Sequence, residues 1–152
     1  MKKLFALMLT LVLMLSCAAF AEEDEMTMPE AAAVFSGSWV CGRASIDMDW
    51  EEEGFRVFIS WSSSASEVTE WEYSCLYQAD DNSLAAMPTG ICTDVVYGDD
   101  GEVASYQTVY EDGDAVFTLD EDGFLLWKDL KEDAGKDMRF EHVEIVSPEE
   151  AM

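Results

Sequence analysis

Five aromatic side chains, Trp61, Trp71, Tyr73, Tyr77 and Trp127, suit this chain to one kind of chemistry, the binding of a small apolar or aromatic ligand. Their rings offer large apolar faces, and the hydroxyl or indole N–H at the ring margin adds one directed hydrogen bond. The same residues would equally fill the interior of a small protein. Reaction chemistry is poorly supplied. His142 is the single histidine, and no serine or cysteine is marked by its sequence context as the nucleophile of such a base, so no catalytic residue is assigned. Carboxylates are so numerous, 33 Asp and Glu among 152 residues, that pairs at acid–base distance arise by chance. The segment Thr118-Leu119-Asp120-Glu121-Asp122-Gly123 carries acids at two ligand positions of an EF-hand loop and glycine at its sixth place. Thr118 stands where the first aspartate belongs, however, and the flanks read as strands. A hairpin turn explains it, and neither a metal nor another cofactor is expected.

Against those acids stand only 8 Lys and Arg, a formal charge of −25. That balance excludes nucleic acid and anionic membrane surfaces as partners and suits a soluble exported protein. Residues 1–21 read as a signal peptide. Lys2 and Lys3 form a positive start, Leu4 to Leu15 is apolar apart from Thr10, and Ala19-Phe20-Ala21 is a small-x-small cleavage site. The apolar run is too short for a transmembrane helix. The mature chain is therefore expected to be secreted or periplasmic, in a bacterial setting. Leu15-Ser16-Cys17-Ala18 offers an alternative, cleavage and lipid anchoring at Cys17, although Met14 occupies the place where leucine is usual. Residues 22–34 read as an acidic flexible tail ending in a short helical turn opened by Pro29-Glu30. Residues 35–147 form the folded domain.

The elements that must position the aromatic residues are strands. Phe55, Val57, Ile59 and Trp61 alternate cleanly, as do Trp71, Tyr73, Cys75 and Tyr77, the heaviest apolar stripe in the chain. A strand from Trp39 to about Trp50 changes parity near Gly42, which suggests a bulge. A less regular strand, Leu84 to Tyr97, is interrupted by Pro88 and Gly90. Asp99-Asp100-Gly101, Asp112-Gly113 and Asp122-Gly123 then read as tight hairpin turns between strands Val103 to Tyr110, Ala115 to Leu119 and Phe124 to Leu130. A looser turn leads to a last strand, Met138 to Val146. The fold expected is all-β: an eight-stranded antiparallel up-and-down (meander) barrel, preceded by the signal peptide and the helical turn. Of the cysteines left after cleavage, Cys75 and Cys92 lie in consecutive strands that a loop near Ser83 would bring opposite each other, so a disulfide between them is expected, with Cys41 free and buried.

Gly37-Ser38-Trp39 at the head of the first strand, with Arg139 in the last, resembles the signature of the lipocalin and avidin (calycin-like) group of small barrels. Thr93-Asp94-Val95 is similar to a second lipocalin motif, with Val95 in place of its aromatic residue. The resemblance implies that Trp39 plugs one end of the barrel and Arg139 stacks across it. The chain is expected to be a monomeric binding module for a small apolar or aromatic ligand. Small secreted barrels that inhibit bacterial metalloproteinases share the architecture and the G-x-W start, which implies an alternative in which Glu22 to Met28 form an inhibitory arm against an extracellular protein. A structural envelope protein without a ligand is the third reading.

Overall fold

The structure is a computed structural model that describes residues 27–144. The expected signal peptide, Cys17, residues 22–26 of the tail and residues 145–147 lie outside the described residues. The chain enters through a 3-10 helix, Glu30–Phe35, that follows Pro29 and buries Ala32 and Phe35. Ten strands follow: β1 (Gly37–Cys41), β2 (Ala44–Glu51), β3 (Gly54–Ser62), β4 (Glu67–Gln78), β5 (Ser83–Ala86), β6 (Gly90–Tyr97), β7 (Val103–Gly113), β8 (Ala115–Leu119), β9 (Leu125–Asp129) and β10 (Glu141–Val143). All pair antiparallel in one strongly curled sheet of order β10-β1-β2-β3-β4-β5-β8-β9, with β6 and β7 beside that path. No helix among the described residues is long and apolar enough to cross a membrane.

Period-two alternation gives the sheet its buried face. Phe55, Val57 and Ile59 of β3 and Trp71, Tyr73 and Cys75 of β4 point into the core, while Arg56, Glu72 and Ser74 between them are exposed. Register turns the strands into rows. One runs Ile46, Ile59, Trp71, Cys92, Tyr110 across β2, β3, β4, β6 and β7, and the next runs Met48, Val57, Tyr73. A fully buried side chain of this size contributes roughly 1.5–3 kcal/mol.

Two local readings change. Gly42 and Arg43 form a two-residue hairpin turn, with Cys41 paired to Ala44, rather than a bulge inside one strand. Asp112-Gly113 makes no turn: β7 runs on into β8 with only Asp114 between, and Gly113 pairs with Gly90. A Cβ on Gly90 would lie 2.5 Å from the Tyr73 ring, and one on Gly113 would lie 3.0 Å from the Gly90 carbonyl oxygen. Gly113 is there to let two backbones meet above Tyr73, a role unrelated to hairpin geometry. β5 and β6 are likewise one interrupted strand, β5 pairing with the last four residues of β4 and β6 with its first six.

The expected closed barrel is an open half-barrel. β9 meets the other end of the sheet at one bridge, where Leu125 and Phe140 exchange two hydrogen bonds of 2.9 Å. Residues 130–139, part of which was expected to begin the closing strand, wrap instead around the buried carboxylate of Asp129, which accepts the amides of Lys131 at 2.9 Å and Ala134 at 3.2 Å. Chain spent on that loop is lost to the ladder, and β10 is left with three residues.

Candidate functional site

Three of the five aromatic candidates fill the interior. Trp71, Tyr73 and Trp127 are 4%, 1% and 2% exposed. Trp71 meets Trp127 edge-on at 4.9 Å, Tyr73 meets Phe117 at 6.0 Å, and the Trp71 indole donates to the Tyr110 hydroxyl at 3.0 Å. Tyr77 stands apart, near the far end of β4, with its ring by Phe35 and its hydroxyl donating to Asn82. Trp61 is half-buried, its ring 6.5 Å from that of Trp71 and tilted by 36°. Trp61 and Trp71 line one cavity among the described residues.

That cavity, about 330 Å³, lies where Trp61, Thr69, Trp71, Asp94 and Val109 meet Glu132 of the β9–β10 connection. Its floor is a cross-strand row. Trp61 pairs with Thr69 and Thr69 with Asp94, one row beyond the buried Ile59, Trp71 and Cys92. The Thr69 hydroxyl donates to the Asp94 carboxylate at 2.7 Å, which orients that carboxylate. The facing wall is held by the Asp129 loop and by Gly135, where a Cβ would come within 2.6 Å of the Trp127 ring. A larger hollow of about 620 Å³ lies between Thr118, Lys128, Trp127 and the Lys136–Arg139 segment; of the five aromatic candidates only Trp127 reaches it, and its rim mixes both signs of charge.

Below the cavity the interior carries polar atoms. The Tyr73 hydroxyl and the Trp127 indole N–H have no hydrogen-bond partner among the described residues. Tyr110 and Trp127 lie close enough to bear on the ionisation of Tyr73 without reaching bonding geometry. Burial first, then Tyr110 and the charge of Asp129, pushes the Tyr73 hydroxyl far above its ordinary value, and burial raises Tyr110 in the same way. Burial also pushes the Cys75 and Cys92 thiols up to about 12, with Asp114 adding to the first and Asp94 to the second. Both remain thiols at neutral pH and are poor nucleophiles.

The expected Cys75–Cys92 disulfide does not form: Cys41, Cys75 and Cys92 are all free, and Cys41 is half-buried. Register is the reason. Cys92 sits opposite Trp71 and Cys75 opposite Ala86, so four residues of β4, roughly 13 Å, separate their rows, well beyond the roughly 4.4–6.8 Å between the Cα atoms of a disulfide.

Trp39 is buried at 3% exposure and donates its indole N–H to the Phe35 carbonyl at 3.0 Å. The ring packed on it is His142, edge-on at 4.7 Å, and the expected Arg139 stack is absent. The β1–β10 register pairs Trp39 with His142, whereas Arg139 precedes the Phe140 bridge and so falls beside the β8–β9 turn. There its guanidinium lies 4.1 Å from the Phe124 ring centroid and bonds to Asp120 at 2.7 Å and Asp122 at 3.1 Å. Asp120 also accepts the amides of Asp122 and Phe124, which makes Thr118–Gly123 a hairpin turn clasped by arginine. No group of three or more His, Cys, Asp or Glu side chains converges on a possible metal position among the described residues.

Thr69, Asp94 and Glu132 are cavity residues that sequence reasoning did not select as ligand contacts. Parity on β4 and β6 could have placed the first two beside Trp61 once the register was known. Glu132 has no such signal, being one acid among 33.

By fold the chain belongs to the all-β proteins built on one curled antiparallel sheet. Comparison with family models, curated proteins and solved structures gives no match.

Proposed function

We propose that the chain is an exported, non-enzymatic binding module that holds a small apolar or aromatic ligand between Trp61 and the β9–β10 connection. The observation that carries this reading is the half-buried Trp61 beside Trp71 in a cavity of about 330 Å³, at the lower end of the size range of ligand pockets. An aromatic ring left half open at a formed cavity has apolar area still to bury on binding. The packed aromatics beneath it give the site a rigid base. The Gly37-Ser38-Trp39 corner, with Trp39 buried at the head of β1, supports a lipocalin-like relation in architecture.

The test uses N-phenyl-1-naphthylamine, a neutral apolar dye whose emission rises out of water. Saturable binding at one site per chain is expected, with quenching of tryptophan emission. Trp61→Ala should weaken it by about tenfold or more, the loss of one aromatic wall. No saturable signal, or a signal unchanged in Trp61→Ala, would rule the site out.

A further inference from the structure

We infer that the ligand is a small organic cation, an amine or quaternary ammonium group on an apolar body, held against the Trp61 ring, with the edge of the buried Trp71 beneath it, by the carboxylates of Asp94 and Glu132. This rests on the binding reading above and assigns its chemical class. The cavity wall joins two indole rings, 6.5 Å apart, to two carboxylates, and no Lys or Arg is among the residues that line it. Indole faces are the strongest aromatic partners of an ammonium group, and a carboxylate at the edge of the aromatic surface supplies the counter-charge. Asp94 is fixed for that task by the 2.7 Å bond from Thr69, and its carboxylate oxygens retain free acceptor sites. Across the floor, Trp61 and Asp94 lie on strands flanking β4, so their backbones are roughly 10 Å apart, room for a trimethylammonium-sized group above Thr69.

The cations nearby each have a partner. Lys131 pairs with Asp112 at 2.7 Å and lies over the Tyr110 ring, and Arg43 donates to the Ser63 carbonyl at the rim at 3.3 Å. An anionic ligand would meet both carboxylates and a formal chain charge of −25, while a cation is drawn in by the same field. On an apolar body, a cationic group adds a counter-charge for Asp94 and Glu132 that a neutral one lacks.

Three isosteres decide the class: choline, the neutral 3,3-dimethylbutan-1-ol and the anionic 3,3-dimethylbutanoate, each titrated by calorimetry and by tryptophan quenching at low salt. Choline is expected to bind at least about tenfold more tightly than the alcohol, the anion least, and choline affinity should fall as salt is added. In Asp94→Asn and Glu132→Gln, checked for folding by thermal midpoint, the choline-to-alcohol ratio should drop towards one. Equal affinities for choline and the alcohol, or a ratio unmoved in both variants, would overturn the cation assignment while the apolar-ligand reading stands. No binding of any isostere would also overturn it. The naphthylamine titration then tells whether the site itself survives.

Discussion

β4 belongs to two regions at once, and the contrast between them is instructive. Its C-terminal half pairs with β5 inside a body where β8 and β9 bury alternate residues such as Ala115, Phe117, Leu125 and Trp127. Its N-terminal half pairs with β6, whose partner β7 is exposed from Val103 to Val109 and, among the described residues, has no strand on its outer side. The strand types are the same and the difference is composition. β8 alternates apolar residues on one face, whereas Val-Ala-Ser-Tyr-Gln-Thr-Val-Tyr in β7 mixes small, polar and apolar residues on both faces and has no stripe to bury. Hydrogen bonding, with little apolar burial beyond Cys92, Val95 and Tyr110, extends the hairpin, and the cavity lies beside it.

The largest effect expected is in the body. Trp39→Ala removes a buried ring that also donates to Phe35, and should cost about 3–5 kcal/mol in equilibrium denaturation. A loss under about 1 kcal/mol would mean that the corner formed by Phe35, Trp39 and His142 does not anchor the body. Gly90→Ala strikes the junction between the two regions. Its Cβ would collide with the buried Tyr73 ring and the Gly113 carbonyl, a cost of about 1–3 kcal/mol. Amide exchange sharpens the comparison: protection should fall first in β6 and β7 while β1 to β3 hold. Uniform loss would show that the hairpin and body open as one unit.

The smallest effect separates the two hairpin turns. In the body, Asp120 is clasped by Arg139, whereas Asp99-Asp100-Gly101 in the projecting hairpin is closed by backbone bonds and the Asp100 side chain, with no basic partner among the described residues. Partial burial works against the Asp120 carboxylate, but the Arg139 guanidinium and the Phe124 and Asp122 amides together outweigh it and hold its carboxyl below the usual range. A carboxyl depressed in the folded chain stabilises the fold above its unfolded value of ~3.9, and that contribution is lost as pH falls through the folded value. Wild type should therefore melt slightly above Asp120→Asn at neutral pH, and the gap should close as the pH is taken below about 4. A gap that persists in acid, or none at neutral pH, would show that the clasp is not electrostatic.

Legible in the sequence alone were the features that a few neighbouring residues encode. Alternation on β3 and β4 placed Phe55, Val57, Ile59, Trp71, Tyr73 and Cys75 on one face, which is buried, and the turns at Asp99–Gly101 and Asp122–Gly123 formed where expected. The expected count of eight strands rested on two offsetting errors, one hairpin read as a single strand at Gly42 and one interrupted strand, β7 with β8, read as a hairpin at Gly113. Identical Asp-Gly dipeptides took different roles: Gly123 has a φ of 86° in a turn, while Gly113 is buried opposite Gly90. Nothing in the dipeptide separates them, because the deciding contact comes from the backbone of Gly90, on another strand. The same holds for the ring on Trp39, the unpaired cysteines and the cavity. Each depends on register and curvature accumulated across several strands, so a shift of one residue in one pairing would move it to the other face, and only the folded sheet sets that sum.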